Sequence, residues 1–196
     1  VFLSGLRTLT FGHKFNQKLA GVSLPTGLQT LTFGEEFNQE LDGVTLPNGL
    51  QSLAFGRRFN QRLQCLALPA GMRMLILGDD FNQELNGITL PGGLQKLTLG
   101  RSFNQRLDGV VLPSSLQTLK FGTKFNKSLA ELRLPSGLQR LEFGERFNQS
   151  FAGVTWPGGL QKLKFGSLFN FDELEDLDLP SSLQGLHMLG MSVSLS

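Results

Sequence analysis

The chain has 196 residues, of which 40% are apolar, and a formal net charge of +2 at pH 7. It is long enough to bury a sizeable core, and so small a net charge gives no dominant field that would draw nucleic acid or an anionic membrane surface. A single cysteine, Cys65, excludes a disulfide framework within the chain, and no apolar run reaches the roughly 18 residues that cross a bilayer.

A repeat of 22 residues runs through the chain, broken once by a spacing of 23. Its marker is a Leu-Pro dipeptide, or Trp-Pro in one copy, beginning at Leu24, Leu46, Leu68, Leu90, Leu112, Leu134, Trp156 and Leu179. We expect eight full repeat units, here called rungs, and a truncated ninth. Residues 1–196 are predicted to form a single repeat domain, with an atypical first rung at 1–23 and atypical last rungs at 167–196.

Each rung follows the consensus LPxGLQxLxFGxxFNQxLxGVx, and two stretches of it alternate apolar with polar residues. In LQTLTF, Leu31 and Phe33 point to one face and the threonines beside them to the other, and in VTLP, Val44 and Leu46 share a face. This period of two is typical of β-strands, so two short strands are predicted per rung, on LQxLxF and VxLP. Because one rung cannot cover its own apolar face, the rungs must stack into a solenoid of parallel strands with little regular helix.

Phenylalanine and asparagine columns are predicted to run along this stack. Phe37 and its equivalents recur in each of the eight full rungs, beside a mostly phenylalanine column at the position of Phe33. Asn38 and its equivalents follow directly, and a side-chain amide there can bridge to the next rung, which predicts a ladder of inaccessible asparagines. Asn126 and Asn148 also match the glycosylation pattern Asn-x-Ser, so modification there is an open alternative.

Three loop positions around the FN dipeptide alternate in charge from rung to rung. The successive sets are His13, Lys14 and Lys18; Glu35, Glu36 and Glu40; Arg57, Arg58 and Arg62; Asp79, Asp80 and Glu84; and Arg101, Ser102 and Arg106. At a rung spacing of about 4.8 Å, alternation places acids between bases and is expected to stabilise stacking by about 0.2–1 kcal/mol per exposed pair. A charge pattern that binds a ligand is the alternative interpretation.

The motif LPxxLxxLxFGxxFNQ resembles the FNIP repeat, a short relative of the leucine-rich repeat. It is also similar to the BspA-like leucine-rich repeat, whose IxIPxxV segment corresponds to VTLPNGL here. The resemblance covers residues 2–190, and it departs from FNIP at Gln39 to Leu41, where a Pro-Ile pair is expected after Asn. It implies a curved, leucine-rich-repeat-like body with LQxLxF on the concave sheet, a role in protein interaction, and no catalytic residues.

Residues suited to catalysis or to binding a metal or cofactor are sparse. His13 and His187 lie at opposite ends of the chain, Cys65 stands where other rungs have a loop glycine, and no Cys/His cluster has metal-ligand spacing. Asp79 and Asp80 belong to the charged loop pattern, and the glycines follow the repeat rather than forming a phosphate loop. We therefore predict that the protein is not an enzyme and needs neither cofactor nor metal.

The outward face of the LQxLxF strands changes along the chain from hydroxyl to apolar to basic. We predict that this concave face binds a protein partner, of acidic character opposite the bases, through Met74, Ile76, Lys96, Lys120, Arg140, Lys162 and Lys164. No nucleic acid and no membrane span are expected.

Two other functions stay open. The chain can be a structural spacer or subunit in a larger assembly, since its end rungs lack polar caps and suit end-to-end or edge contacts. Thr-x-Thr pairs on the face of the first two rungs, Thr8 with Thr10 and Thr30 with Thr32, have the spacing of ice-binding solenoids. The acidic segment 172–178 is predicted to be a capping rung or a separate contact site.

Overall fold

The computed structural model describes residues 5–170, 172, 178–188 and 191–194. Within these ranges, ten strands form one sheet whose spatial order is the order of the chain. The strands are β1 (Thr8–Thr10), β2 (Thr30–Thr32), β3 (Ser52–Ala54), β4 (Met74–Ile76), β5 (Lys96–Thr98), β6 (Thr118–Lys120), β7 (Arg140–Glu142), β8 (Lys162–Lys164), β9 (Gly185–Met188) and β10 (Met191–Ser194). Strands β1 to β9 are parallel, and β10 returns antiparallel to β9.

The register of the sheet follows the sequence repeat. Leu31 of β2 pairs with Leu9 of β1 and with Leu53 of β3, which are 22 residues away on either side. The last parallel step pairs Leu163 with Leu186, 23 residues further on, so the one longer spacing in the sequence falls between β8 and β9. Equivalent residues of successive rungs are therefore neighbours in space, and the predicted solenoid of parallel strands is confirmed.

Tight turns, rather than a second strand, complete each rung. After β2, residues 34–37, 41–44 and 47–50 each form a turn closed by a backbone hydrogen bond of 3.0 to 3.3 Å from the last N–H to the first carbonyl. The same three turns recur along the described rungs. The turns begin at the glycine of FG, the leucine after FNQx and the proline of LP, so the fixed offsets of these residues in the repeat coincide with the turns.

The spacing between rungs widens with distance from the sheet. Rings at the position of Phe33, next to the strand, lie 5.2 to 5.6 Å from their equivalents in the next rung. Rings at the position of Phe37 lie 6.0 to 6.2 Å apart. The two rings within a rung are separated by 3.8 to 4.1 Å, so successive rungs are rotated by on the order of 10°. The sheet therefore lies on the concave side.

This curvature accounts for a difference from the sequence prediction. The second strand expected on VxLP is not formed in the described rungs, where these residues are irregular. They lie on the convex side, where a cavity of about 450 Å³ is lined by the stretch from Gly21 to Thr26 and its equivalent from Gly43 to Asn48. A β-ladder needs backbones about 4.8 Å apart, and the proline that ends each segment has no N–H to donate.

The interior consists of aligned apolar columns. Leu31, Phe33 and Phe37 are at most 3% exposed, and none of the buried side chains in the described ranges is polar or charged. In the first rung, Phe11 and Phe15 are only half-buried. Stacked phenylalanine rings and leucines thus supply most of the apolar area that holds the rungs together.

An asparagine ladder joins the rungs beside the second phenylalanine column. Oδ1 of Asn60 accepts a hydrogen bond from the backbone N–H of Asn82 at 2.9 Å and another from Nε2 of Gln83 at 3.1 Å. The backbone contact recurs at every step from Asn16 to Asn170, at 2.8 to 2.9 Å. The ladder predicted from the sequence is therefore confirmed.

The ladder asparagines are less buried than predicted. Asn126 is half-buried and Asn148 is exposed, because a ladder member needs only its Oδ1 to face the next rung. The serines of the two glycosylation patterns, Ser128 and Ser150, each accept a backbone N–H two residues on. Burial therefore does not protect Asn148, and glycosylation there stays an open alternative.

The charged loops form their own row of contacts between rungs. The backbone N–H of Glu36 donates to the carbonyl of His13 at 3.0 Å, and that of Arg58 donates to the carbonyl of Glu35 at 2.8 Å, a pattern that continues along the described rungs. Side-chain pairs join His13 to Glu35 at 3.2 Å and Glu36 to Arg58 at 2.6 Å. The side chains of the alternating pattern thus contact one another at the first two steps of this row.

The acidic segment near the carboxyl end lies largely outside the described residues, which include only residues 172 and 178 of it. Its predicted role as a cap or contact site stays a prediction. The antiparallel pairing of β10 with β9 was not foreseen, because the repeat pattern is lost after residue 188 and no longer indicates a direction for the chain.

Candidate partner-binding face

The concave face presents two columns of side chains, one on each side of the buried central leucine of each strand. The first column contains Thr8, Thr30, Ser52, Met74, Lys96, Thr118, Arg140, Lys162 and Gly185. The second contains Thr10, Thr32, Ala54, Ile76, Thr98, Lys120, Glu142, Lys164 and His187. Because neighbouring strands pair in register, each member of a column lies about 4.8 Å from the next.

An apolar spot occupies the centre of this face. Met74 and Ile76 are the outward residues of β4, and both are half-buried. Their register neighbours on β3 are Ser52 and Ala54. Because these two side chains are small, those of Met74 and Ile76 project further from the sheet than their neighbours on β3. On the other flank Lys96 begins the basic part of the face. The spot predicted from the sequence is therefore present, although its side chains are partly covered rather than fully exposed.

A basic strip extends from β5 to β8. All five of its predicted members are exposed, namely Lys96, Lys120, Arg140, Lys162 and Lys164. One carboxylate, that of Glu142, lies among them and pairs with Nζ of Lys120 at 3.6 Å. The structure shows no ion pair of Arg140, Lys162 or Lys164 with any residue that it describes. The strip therefore keeps an excess of positive charge.

Two concavities follow the strip. One, of about 270 Å³, is lined by Arg140, Glu142, Lys162, Lys164 and His187. The other, of about 670 Å³, is a longer groove along the carboxyl ends of β5 to β8. It lies between the second column and the charged loops, and both signs of charge line it, including Arg101 and Glu145. The strip is thus a shaped surface with charged walls.

Sequence reasoning missed two residues of this region. Glu142 was assigned no part in binding, although its register neighbours Lys120 and Lys164 already placed it between two cations. His187 is also absent from the predicted contact residues. Pairing of β8 with β9 brings it beside Lys164, and the 23-residue spacing before β9 was the signal that could have located it.

Other chemistry finds little support in the described ranges. There, no three His, Cys, Asp or Glu side chains come together as a metal site, and no helix is long and apolar enough to cross a membrane. The carboxylate of Asp42 raises the pKa of the exposed Cys65 thiol, by accepting its hydrogen bond and by charge repulsion. A cysteine nucleophile needs the opposite shift, so Cys65 is not activated.

One short parallel strand and three turns per 22-residue rung define a leucine-rich-repeat-like solenoid, a fold that commonly serves as a protein-interaction scaffold. The chain belongs to the FNIP repeat family, whose model matches residues 4–36, 37–80, 81–124 and 125–168. Each of the last three matches spans two rungs. The resemblance drawn from LP, FG and FN at fixed offsets is therefore confirmed.

Solved structures give a similar result. CroV588, reported as a novel circular LRR protein structure, is 38% identical to this chain with a TM-score of 0.81; the match covers 96% of this chain and 31% of that one. The chain therefore spans about a third of that protein's length. YopM from Yersinia enterocolitica WA-314 is 18% identical with a TM-score of 0.38, over 85% of this chain and 52% of YopM, a likeness too loose to support an argument. No curated protein matches the chain.

Proposed function

We propose that the chain is a non-enzymatic scaffold that binds a protein partner of acidic character through its concave face. The contact residues are Met74, Ile76, Lys96, Lys120, Arg140, Lys162 and Lys164. One observation carries the proposal: a half-buried apolar spot continues directly into a strip of five exposed cations on the same curved sheet. An apolar anchor beside unpaired charge is the composition of a binding hot spot and its rim.

Curvature supports this choice of surface. The concave side brings the strands to their closest spacing, so side chains of adjacent rungs act on one ligand together. Convex residues such as Val111, which is 79% exposed, stand on segments that diverge. The positive strip would also speed encounter with an acidic partner, an effect that falls as ionic strength rises.

The test is a comparison of captured partners, identified by mass spectrometry, between the wild type and the double variant Met74→Asp with Lys164→Glu. The matched control carries the same two types of change away from the face, Val111→Asp with Lys18→Glu, both at exposed positions. We expect the concave variant to lose partners that the control keeps. Loss from both variants, or from neither, would remove the assignment of function to this face.

A structural subunit is the second candidate function, and the first rung favours it. Phe15 of that rung is half-buried, whereas Phe37 of the next rung is fully buried, so the first described rung keeps apolar area that a further rung, of the same protein or of another copy, would cover. Sedimentation velocity over a range of concentrations distinguishes the two functions. End-to-end assembly predicts a mass that rises with concentration and falls with Phe15→Asp, and that does not respond to Met74→Asp.

Ice binding has weaker support. The Thr-x-Thr pairs occupy only β1 and β2, and Ser52 and Ala54 follow them on β3. Two rungs give a small flat area, so we expect no thermal hysteresis from a dilute solution of the protein.

A further inference from the structure

The smaller concavity on the basic strip brings three cations together. Arg140 and Lys162 are register partners on β7 and β8, and Lys164 follows two residues along β8. Their backbones are therefore about 4.8 Å apart across the strands and about 6.6 Å apart along one strand. All three line one space of about 270 Å³. Three long basic side chains can thus reach a single small group from different directions.

The local charge is not balanced within the described part of the chain. Glu142 is the one carboxylate that lines this concavity, and its ion pair with Lys120, at 3.6 Å, already engages it. Arg140, Lys162 and Lys164 form no ion pair with a described residue. Like charges held this close repel one another, so an anion placed among them would gain from all three at once.

The close spacing of these three cations indicates which kind of anion fits among them. Carboxylates on one side of an extended peptide recur about every 6.6 Å, so they would spread along the strip rather than meet in one concavity. A phosphoryl group carries a charge of about −1.5 to −2 and three acceptor oxygens on one centre, and it pairs well with an arginine fork beside lysines. This group matches three converging cations better than a run of acidic residues does.

Nucleic acid fits the same surface less well. Binding of single strands relies on aromatic side chains that stack on the bases. On the concave columns of the described strands there is no Phe or Trp, because the phenylalanines occupy the buried columns.

We propose that the concavity between Arg140, Lys162 and Lys164 binds a phosphorylated serine or threonine side chain of the protein partner. This inference rests on the proposed function, since it specifies the partner of the same face. The apolar spot on β4 lies three strand spacings from β7, about 14 Å, which an extended peptide covers in about four residues. The partner segment would thus carry an apolar residue about four positions from the phosphorylated one.

The probe is a Gly/Ala peptide with one phosphoserine and a leucine four residues to either side, so that both chain directions are covered. Its affinity is measured by NMR titration against the same peptide with serine and with glutamate in place of phosphoserine. We expect the phosphopeptide to bind at least about tenfold more tightly than either. Lys162→Gln should remove most of this preference, and the exposed, distant Lys18→Gln should leave it unchanged.

Equal affinity for the three peptides, or tighter Lys162-dependent binding of single-stranded RNA than of the phosphopeptide, would overturn the inference. Lys162→Ala serves as a second variant if the glutamine variant does not give the wild-type circular dichroism spectrum. Phosphatase treatment of the lysate separates this inference from the proposed function. If dephosphorylated partners are still captured by the wild type and lost by the Met74→Asp, Lys164→Glu variant, the face binds protein but not through phosphate.

Discussion

Gly78 packs directly against the carbonyl group of Gly56 in the preceding rung. A β-carbon added at Gly78 would lie 2.0 Å from that oxygen, closer than real β-carbons approach any atom. The same contact recurs at the equivalent glycines from Gly34 to Gly166, none of which has a positive φ. These glycines are therefore required by close approach, whereas Gly43 and several of its equivalents have a φ near +75° and are required by turn geometry.

Gly78→Ala is expected to lower the free energy of unfolding by about 1–3 kcal/mol or more, because backbone must move to admit the methyl group. Gly12→Ala is the matched control, since it occupies the same column of the first rung and no described atom lies within 4 Å of its added β-carbon. That change should stay within about 0.5 kcal/mol. Urea unfolding followed by circular dichroism measures both, and equal effects would contradict the stacking contact.

Asn82→Ala removes the Oδ1 that accepts the backbone N–H of Asn104 at 2.9 Å and Nε2 of Gln105 at 3.1 Å. A half-buried N–H then lacks its acceptor, and we expect a loss of about 1–3 kcal/mol together with faster hydrogen exchange at the Asn104 amide. Asn170→Ala keeps its own backbone N–H and, among the described residues, removes an acceptor only from an exposed contact, at 3.3 Å to the N–H of Asp172. Its effect should be much smaller. Unchanged exchange at Asn104 would argue against the ladder.

The ion pair of Glu36 with Arg58 should be measurable by a double-mutant cycle with alanine. At 2.6 Å and with both side chains partly exposed, we expect a coupling of about 0.2–1 kcal/mol at low salt, vanishing in 1 M NaCl. The cycle of Arg58 with Asp80 is the control, because the structure describes both residues and shows no ion pair between them. Similar coupling in the two cycles would mean that the charges of these loops act through their summed field and not through this direct contact.

Cys65 should be slow to react with iodoacetamide at mildly alkaline pH. Asp42 raises the pKa of its thiol, so at a pH near the ordinary cysteine value a smaller fraction is thiolate, the reactive form. Asp42→Asn is expected to lower the pKa and increase the rate there, with the rates converging at higher pH. Asp108→Asn changes the equivalent position two repeats beyond Cys65's rung and should have no effect. A rate that is indifferent to Asp42 would contradict this cause.

The repeat made much of this fold predictable. Because Phe37 and Asn38 recur at a fixed period, and stacking is the only way to cover an apolar face that each rung leaves open, the sequence indicated the columns and the register. It could not distinguish the pairing of the LQxLxF stretch from that of VxLP, since Leu31 and Val44 sit in equally alternating segments. Which of the two stretches pairs as a strand depends on the curvature of the solenoid. The curvature is seen in the structure, from the distances between rings of successive rungs, and not in the sequence.

The candidate face was predictable in composition but not in its balance of charge. The alternation of apolar and polar residues in the sequence was enough to place Lys120, Arg140 and Lys164 on one side of the sheet. The ion pair between Glu142 and Lys120 depends on how far side chains reach across neighbouring strands. Because Glu142 pairs with Lys120, Arg140 and Lys164 have no ion-pair partner among the described residues. The backbone hydrogen bonds that join the charged loops of successive rungs could not be predicted either, because every residue type can form them and the sequence pattern does not indicate which ones do.

Photo-crosslinking gives the most direct test of binding through the concave face. A photoreactive amino acid is introduced at Thr118, half-buried on β6 between Lys96 and Arg140, or at Val111 on the convex side as the control. We predict that the captured partner forms an adduct with the protein carrying the probe at Thr118 and none with the protein carrying it at Val111. An adduct formed from Val111 and absent from Thr118 would contradict the assignment of partner binding to the concave sheet.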